Sequence, residues 1–182
     1  PQIVSYLTTI HEYKGKQHLI AERHADVLEN LVEIAKIQST ESSNKIEGIY
    51  TSDERLKKIV LDKTMPKTRN EREIAGYRDV LNTIHENFQH IPIRDTFILQ
   101  LHRDLYKFEN ASNGGRFKTA DNIIEEEDER GNKFVRFRPL PAWETPDAII
   151  NLCTAYYEAI NKCEADSLLL IPMFIIDFLC IH

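Results

Sequence analysis

The sequence predicts a mainly α-helical protein with one β-hairpin inserted between two of its helices. Apolar residues recur at helical spacing in several long stretches, which begin at capping residues and end at glycine, proline or polar runs. Only residues 122–138 have strand-like ends on either side of a turn. The chain has 182 residues, of which 42% are apolar and 29% charged, so it can form a core and is not of the disordered class.

Helical spacing predicts three helices before residue 68. They cover about residues 13–37, 41–47 and 51–61. A polar break is expected at residues 38–40, and Gly48 should end the second helix in the left-handed conformation that glycine adopts easily. Pro66 marks the loop that follows, so residues 1–68 are assigned to an N-terminal helical region.

Four more helices are predicted in residues 69–182. The first begins at Asn70–Glu73, which resembles a capping box, and the third at Thr145–Asp147, a cap followed by proline and an acid. The last, Leu168–Ile181, is almost continuously apolar but too short to cross a bilayer. We expect it to be the most buried element, and its Asp177 to be a buried carboxylate with hydrogen-bond partners.

A β-hairpin is predicted over about residues 122–138. Strand-like ends flank an acidic run, Glu125–Glu129, and a turn at Arg130–Asn132. A lone two-stranded ribbon is barely stable in water, so this hairpin needs either a surface to pack on or a function. Trp143, in the loop behind it, is expected to pack against the core.

Composition limits the classes of function. The net charge is −6 and no Lys/Arg-rich cluster occurs, so no nucleic-acid partner is predicted for this segment. The cysteines form no CxxC pair, and we expect free, buried thiols in a reducing compartment at Cys153, Cys163 and Cys180. The histidines lack metal-binding spacing, so no metal ligand is predicted. No signal-peptide pattern opens the chain, which makes the cytoplasm the expected location, without a membrane partner.

Four short motifs follow one another along the chain. They are Ser43–Gly48 (SNKIEG), Leu99–Tyr106 (LQLHRDLY), Gly115–Lys118 (GRFK) and Phe178–His182 (FLCIH). The first matches the pattern Ser/Thr-x-x-x-Glu-Gly/Asn, and the last ends on the first residue of the pattern His-Pro-Phe-x-Asp-Gly-Asn-Gly-Arg. In this order and spacing they resemble the Fic family, in the class whose inhibitory helix precedes the core. The resemblance covers about residues 31–182.

The resemblance implies a Fic-type helical bundle in which the hairpin is the flap. Residues 1–68 would form the N-terminal helical arm with the inhibitory motif, and residues 69–182 a Fic core without its catalytic loop and the helices after it. We therefore expect the natural chain to continue past His182 and this segment to be inactive. The apolar last helix agrees with this expectation, because its final carbonyls would have no partners.

The resemblance also implies transfer of AMP from ATP, with Mg²⁺, to a Ser, Thr or Tyr hydroxyl of a target protein. His182 would be the catalytic base that takes the hydroxyl proton, a task that suits imidazole at neutral pH. The target segment would pair with the flap by strand addition. The residues expected at that target-facing edge are Thr119, Asp121, Asn122 and Ile123.

Glu47 would inhibit such an enzyme by pairing with the last arginine of the family signature, which otherwise holds the γ-phosphate of ATP. Ser43 lies four residues earlier on the same helical face and could orient the carboxylate. In this interpretation Gly48 ends the inhibitory helix. The alternative is that Glu47 is a solvated residue before a glycine cap.

Other functions stay open from the sequence. An enzyme of the same kind can instead remove AMP or transfer another nucleotide moiety. Alternatively, the chain is a non-catalytic helical module whose hairpin binds a protein partner, or a processed fragment that keeps the fold alone. A homodimer is also left open.

Overall fold

The computed structural model describes residues 2–21, 25–109, 114–163 and 165–181. The helices of this part are α1 (Gln2–Ala21), α2 (Ala25–Ile46), α3 (Asp53–Val60), α4 (Arg69–Asn87), α5 (Asp95–Leu105), α6 (Thr145–Asn161) and α7 (Ser167–Ile181). The strands β1 (Ile124–Glu127) and β2 (Lys133–Phe137) pair antiparallel between α5 and α6. The predicted class, mainly α with one inserted hairpin, is confirmed.

The chain divides into two compact units. The first consists of residues 1–85 and 105–110, and the second of residues 86–104 and 111–182. The boundary predicted at residue 68 lies inside the first unit, between α3 and α4. None of the described helices is long and apolar enough to cross a membrane.

The core of the first unit is formed by α3 and α4. α3 places its apolar side chains at spacings of three and four, so they share one stripe of the helix. The buried core residues are Leu56, Ile59, Val60, Ile74 and Ala75. Ile37, Ile49 and Phe108 are half-buried against them, which brings the end of α2 and the segment after α5 onto the same core.

An ion pair ties α3 to α4 inside the first unit. Arg55 donates from Nε to Oε1 of Glu71 and from Nη2 to Oε2, both at 2.8 Å. The backbone N–H of Lys67 donates to Oε2 at 2.7 Å, and Glu71 is only 4% exposed. Hydrogen bonds from Arg55, supported by the Lys67 N–H, lower the pKa of Glu71 from its usual value near 4.5 to about 2.

The cap of α4 differs from the prediction. Thr68, not Asn70, caps the helix, because Thr68 Oγ1 accepts the N–H of Glu71 at 3.2 Å. Asn70 instead donates from Nδ2 to the carbonyl of Tyr50 at 3.1 Å, and Glu73 pairs with Arg69 at 2.9 Å. The capping box expected at Asn70–Glu73 is therefore wrong, since both of its members bind elsewhere.

α2 runs without interruption through the polar residues that were expected to break it. Residues 38–40 lie inside the helix, and Thr40 is 0% exposed. The predicted break, and with it the separate helix over residues 41–47, is wrong. Differences in helix propensity among such residues are under about 0.7 kcal/mol each, so packing of the last turns of α2 decides the outcome.

The core of the second unit lies between α6 and α7. Its buried members are Ile149, Cys153 and Ile181. The ring of Phe174 meets Tyr156 edge-on at 5.1 Å, and Phe178 stacks on Phe174 at 6.2 Å. α7 therefore uses one stripe, at positions 174, 178 and 181, to pack on its neighbours.

The prediction that α7 is the most buried element is wrong. Of its residues only Ile181 is buried. Large apolar side chains 41–63% exposed are Leu168, Ile171, Met173, Ile175, Ile176 and Leu179. Asp177 is exposed as well, so it is not the buried carboxylate that was expected. The reason is geometric. α7 is apolar on all sides, but in the described structure neighbouring residues cover it along a single stripe.

Two smaller expectations also fail. Trp143 is 79% exposed and does not pack in the core. The cysteines are free as predicted, but only Cys153 is buried, whereas Cys163 and Cys180 are exposed. Burial, with a smaller contribution from the charge of Asp95, raises the pKa of the Cys153 thiol.

Candidate functional site

The segment Ser43–Gly48 terminates α2 by a Schellman motif. Gly48 has φ +74°, and its N–H donates to the carbonyl of Lys45 at 3.0 Å. The N–H of Ile49 reaches back to the carbonyl of Asn44 at 2.9 Å. This pair of bonds requires a left-handed residue at position 48, which favours glycine. Ile49 then packs on the core of the first unit, so the helix end is fixed on both sides.

Glu47 occupies the capping position of this helix end. Its side chain is exposed, and within the described part of the chain it makes no hydrogen bond or ion pair. Lys45, the nearby cation, pairs with Glu41 instead. A negative charge at the C-terminal end of a helix opposes the helix dipole, so this position does not stabilise the fold. The carboxylate is therefore available to a cationic partner.

Ser43 does not bind Glu47. Its Oγ accepts a hydrogen bond from the hydroxyl of Tyr77 on α4, at 2.9 Å. Asn44, 5% exposed, lies beside it and donates from Nδ2 to the carbonyl of Thr40 at 2.7 Å. The face of α2 that carries these residues is turned into the first unit. Nothing local in the sequence marks the hydroxyl of Tyr77 as a partner of Ser43.

The second and third motifs meet in the second unit. Gly115 has φ +76°, and a Cβ at this position would lie 2.8 Å from Cβ of Arg103 and 3.1 Å from the carbonyl oxygen of Leu99. Its N–H donates to Nδ1 of His102 at 3.2 Å. Gly115, at the start of the hairpin segment, therefore packs directly on the motif Leu99–Tyr106. Only glycine fits at this contact.

Both ends of the hairpin segment bind the last turn of α7. Before β1, Lys118 donates from Nζ to the carbonyl of Ile181 at 2.8 Å. After β2, the N–H of Leu140 donates to the carbonyl of Cys180 at 3.2 Å. The expectation that the final carbonyls of α7 have no partners is therefore wrong for these two residues. A lysine ammonium at this end also complements the helix dipole.

The expected target-facing residues precede β1 instead of lying within it. Thr119, Asn122 and Ile123 are exposed, with Ile123 at 47%. Asp121 has a structural contact, because its Oδ1 accepts the N–H of Ala142 at 2.7 Å and so closes the base of the hairpin. The three other side chains are exposed in the segment that leads into β1.

The hairpin itself is exposed along both strands. Ile124 pairs with Phe137 and Glu127 with Lys133, with an irregularity between positions 124 and 125. Since the sheet has two strands, each strand has one edge without a partner strand in the described structure. Such an edge can accept an extended peptide.

The tip of the hairpin is a closed polar turn. Oδ1 of Asp128 accepts the N–H groups of Arg130 and Asn132 at 2.9 and 2.8 Å. Hydrogen bonds from the Asn132 side chain and backbone lower the pKa of Asp128. Glu126 pairs with Arg136 across the strands at 2.9 Å. The acidic run is therefore partly used for local structure, which agrees with a solvated tip.

His182 lies outside the described residues, so its predicted role is not tested. Among the described residues no group of three or more His, Cys, Asp or Glu side chains could hold a metal ion. Each unit has a candidate feature of its own: the end of α2 with Glu47 in the first, and the hairpin base on the last turn of α7 in the second.

Comparisons with known proteins agree with this architecture. No protein-family model and no curated protein sequence matches the chain. Among solved structures, the chain is similar to a Fic domain-containing signaling protein from Bacteroides thetaiotaomicron VPI-5482, with a TM-score of 0.68 over 82% of this chain. The chain has a Fic-like fold.

The Fic-like fold confirms the fold that the four motifs imply. The two sequences are 17% identical, and this chain covers 56% of the length of the solved one. At that identity the likeness concerns the arrangement of elements alone.

Proposed function

We propose that this chain is part of a protein adenylyltransferase that is held inactive by Glu47. The enzyme would transfer AMP from ATP to a Ser, Thr or Tyr hydroxyl of a target protein. The observation that carries the proposal is the attachment of both hairpin ends to the last turn of α7, through Lys118 and Leu140. The hairpin segment is thereby fixed to the end of the helix that directly precedes His182 in the sequence, where the resemblance to the Fic signature begins.

The hairpin supplies the docking function in this proposal. An extended target segment adds to the free edge of β1, and the approach at Thr119, Asn122 and Ile123 contacts its side chains. Backbone pairing selects an extended conformation without demanding a particular sequence. Because the base of the hairpin is bound to α7, the target hydroxyl is held at a constant distance from the helix end.

The chemistry requires one proton transfer. His182, as a neutral imidazole, takes the proton of the target hydroxyl while the hydroxyl oxygen attacks the α-phosphorus of ATP. A new P–O bond forms to the target, the bond to the β-phosphate oxygen breaks, and pyrophosphate leaves. Mg²⁺ would enter with ATP. The described residues offer no cluster that could hold the metal, so no step is assigned to it.

In this proposal Glu47 inhibits the enzyme. An exposed carboxylate without an ion-pair partner among the described residues can pair with an arginine that otherwise holds the γ-phosphate. A bidentate carboxylate–guanidinium pair occupies the donors that the phosphate needs, so ATP binds in an unproductive position. The Schellman end of α2 holds Glu47 at a defined place, as such a contact requires.

The test is AMP transfer by the protein as its gene encodes it. The protein is incubated with ATP labelled at the α-phosphate, with and without candidate target proteins, as wild type and as Glu47→Gly. We expect label on protein in the variant and at least about 10-fold less in the wild type, since loss of a charged pair typically costs 1.5–3 kcal/mol. His182→Ala in the Glu47→Gly background is the control and should remove the label.

Three outcomes decide between the proposed functions. Label on protein in Glu47→Gly alone supports autoinhibited AMP transfer. Loss of label from a previously AMP-modified protein, in wild type, supports AMP removal instead. If neither variant adds or removes label, while the hairpin still binds an extended peptide, the chain is a binding module and the enzyme proposal fails.

A further inference from the structure

The Tyr77–Ser43 contact joins the candidate inhibitory motif to the core of the first unit. Tyr77 lies on α4 and Ser43 on α2, 34 residues apart in sequence, and the two oxygens are 2.9 Å from each other. Among residues 30–46 of α2, no other side chain forms a hydrogen bond to another helix of the described structure. The contact is half-buried, so water competes with it less than at an exposed site.

Among the described side chains of α2, those that are buried or half-buried lie in its last turns. Its described side chains from position 28 to 35 are exposed, including Leu31 and Val32 at 52% each. Burial begins near Ile37 and is complete at Thr40 and Asn44. A helix held along so short a stretch depends on each contact there for its rotation and its axial position.

Another feature of the same face opposes docking. The Thr40 side chain is buried, and its Oγ1 has no hydrogen-bond partner in the described structure. A buried hydroxyl without a partner destabilises the state that buries it. The unpaired hydroxyl of Thr40 therefore destabilises the docked position of α2, and the hydrogen bond to Ser43, one turn later, stabilises it.

The position of Ser43 fixes that of Glu47. The two residues are separated by one helical turn, which ends in the Schellman bonds of Lys45 and Asn44. That turn has little freedom to move by itself. A contact that sets the rotation of α2 at Ser43 consequently sets the place of the Glu47 carboxylate.

We propose that Tyr77 is a positioning residue for inhibition: its hydroxyl, by holding Ser43, keeps Glu47 where it blocks the nucleotide. The inference rests on the proposed function and adds the regulatory contact to it. It assigns Ser43 a role different from orienting the Glu47 carboxylate directly. It also makes the strength of inhibition adjustable from α4, away from the nucleotide.

The test compares variants that loosen and tighten the docked helix, in the protein as its gene encodes it. Tyr77→Phe removes the hydroxyl and keeps the ring, and Ser43→Ala removes the acceptor. Each should raise the rate of label transfer from α-labelled ATP by about 3- to 10-fold, the range expected for one hydrogen bond. The double variant should not exceed the larger single effect, because both remove the same bond.

Thr40→Val is the matched variant of opposite sign. Valine has the shape of threonine and lacks the unpaired hydroxyl, so α2 should dock more firmly and the label should fall below the wild-type rate. In the Glu47→Gly background, Tyr77→Phe and Thr40→Val should change nothing, because their effect passes through Glu47. A purely structural role of Tyr77 would alter both backgrounds alike.

Hydrogen exchange gives a readout that does not depend on activity. Tyr77→Phe should speed exchange of the N–H groups of Glu47, Gly48 and Ile49, which bind carbonyls of the last turn of α2. One outcome would overturn the inference and leave the proposed function standing. In it, Glu47→Gly labels protein, but Tyr77→Phe changes neither the label nor the hydrogen exchange. Absence of label in every variant overturns the proposed function and the inference with it.

Discussion

The Glu71 carboxylate is a single side chain on which three segments of the first unit converge. It binds Arg55 of α3 and the Lys67 N–H of the loop, and it belongs to α4. Arg55 also donates to the carbonyl of Met65 at 3.2 Å, so the loop is bound from both sides. Removing one member of such a partly buried pair leaves the other charge without an ion-pair partner.

Glu71→Gln should destabilise the fold by about 2–3 kcal/mol at pH 7, measured by urea unfolding. The carboxylate has a pKa of about 2 in the folded state, below its usual value near 4.5, so its contribution is complete above pH 4.5. As the pH falls from 4.5 towards 2, the unfolded state gains its proton first, and the difference between wild type and variant should shrink.

Glu73→Gln is the matched control for this pH dependence. It lies on the same helix, and its partner Arg69 has a side chain that is 78% exposed. An ion pair at the surface contributes about 0–1 kcal/mol, so this variant should be nearly neutral at every pH. Equal effects of the two substitutions would contradict the role given to Glu71.

The sequence pattern predicted a structural role for Glu73, whereas the structure gives that role to Glu71. The reason is physical. Asn70–Glu73 matches a capping pattern locally, whereas the partner of Glu71 lies 16 residues earlier. The same limit applies at the candidate site. Gly48 was predictable because a left-handed helix end is a local property, but the bond between Tyr77 and Ser43 exists only once α2 and α4 are folded together.

At the scale of elements, the approach of α4 to the end of α5 depends on Gly76. A Cβ at this position would lie 1.9 Å from the carbonyl oxygen of Leu105 and 2.8 Å from its carbonyl carbon. Both are backbone atoms, which cannot move aside without shifting α5. The backbone of Leu105 can lie this close to α4 because position 76 has no side chain.

Gly76→Ala should therefore destabilise the protein by about 1–3 kcal/mol or more, the range for overpacked sites, despite the better helix propensity of alanine. Gly15→Ala is the matched control, since no atom lies within 4 Å of a Cβ there and position 15 is inside α1. That variant should stabilise by about 0.5–1 kcal/mol. Thermal unfolding checks both signs, and a neutral Gly76→Ala would contradict the close approach.

Some element boundaries are set by local signals in the sequence, and others by contacts between distant residues. The hairpin was found because the turn at Arg130–Asn132 is a local signal, and the register then follows from it. α2 was divided wrongly at residues 38–40, because these residues are polar and the local pattern does not reveal that Thr40 is buried. The attachment of Lys118 to Ile181 spans 63 residues and has no local signature.

At the scale of the whole molecule, the distribution of apolar surface contrasts with the composition. Mean hydropathy is −0.41 and the net charge is −6, values typical of a protein with a polar surface. Yet α7 leaves six large apolar side chains 41–63% exposed. An apolar helix was expected to be buried on all sides, but burial requires neighbours, which a count of apolar residues does not reveal.

The 182-residue chain should consequently associate with itself through α7 as its concentration rises. Ile176→Lys places a charge on a residue that is 60% exposed, which should not disturb the core but should weaken association roughly 10-fold, since burying one such side chain is worth about 1.5–3 kcal/mol. Met65→Lys makes the same charge change at a loop residue that is 75% exposed. It should leave association unaltered. Light scattering over a concentration series measures the association of both variants. If the chain stays monomeric, or if the two substitutions have equal effects, the exposed face of α7 does not drive contact between copies.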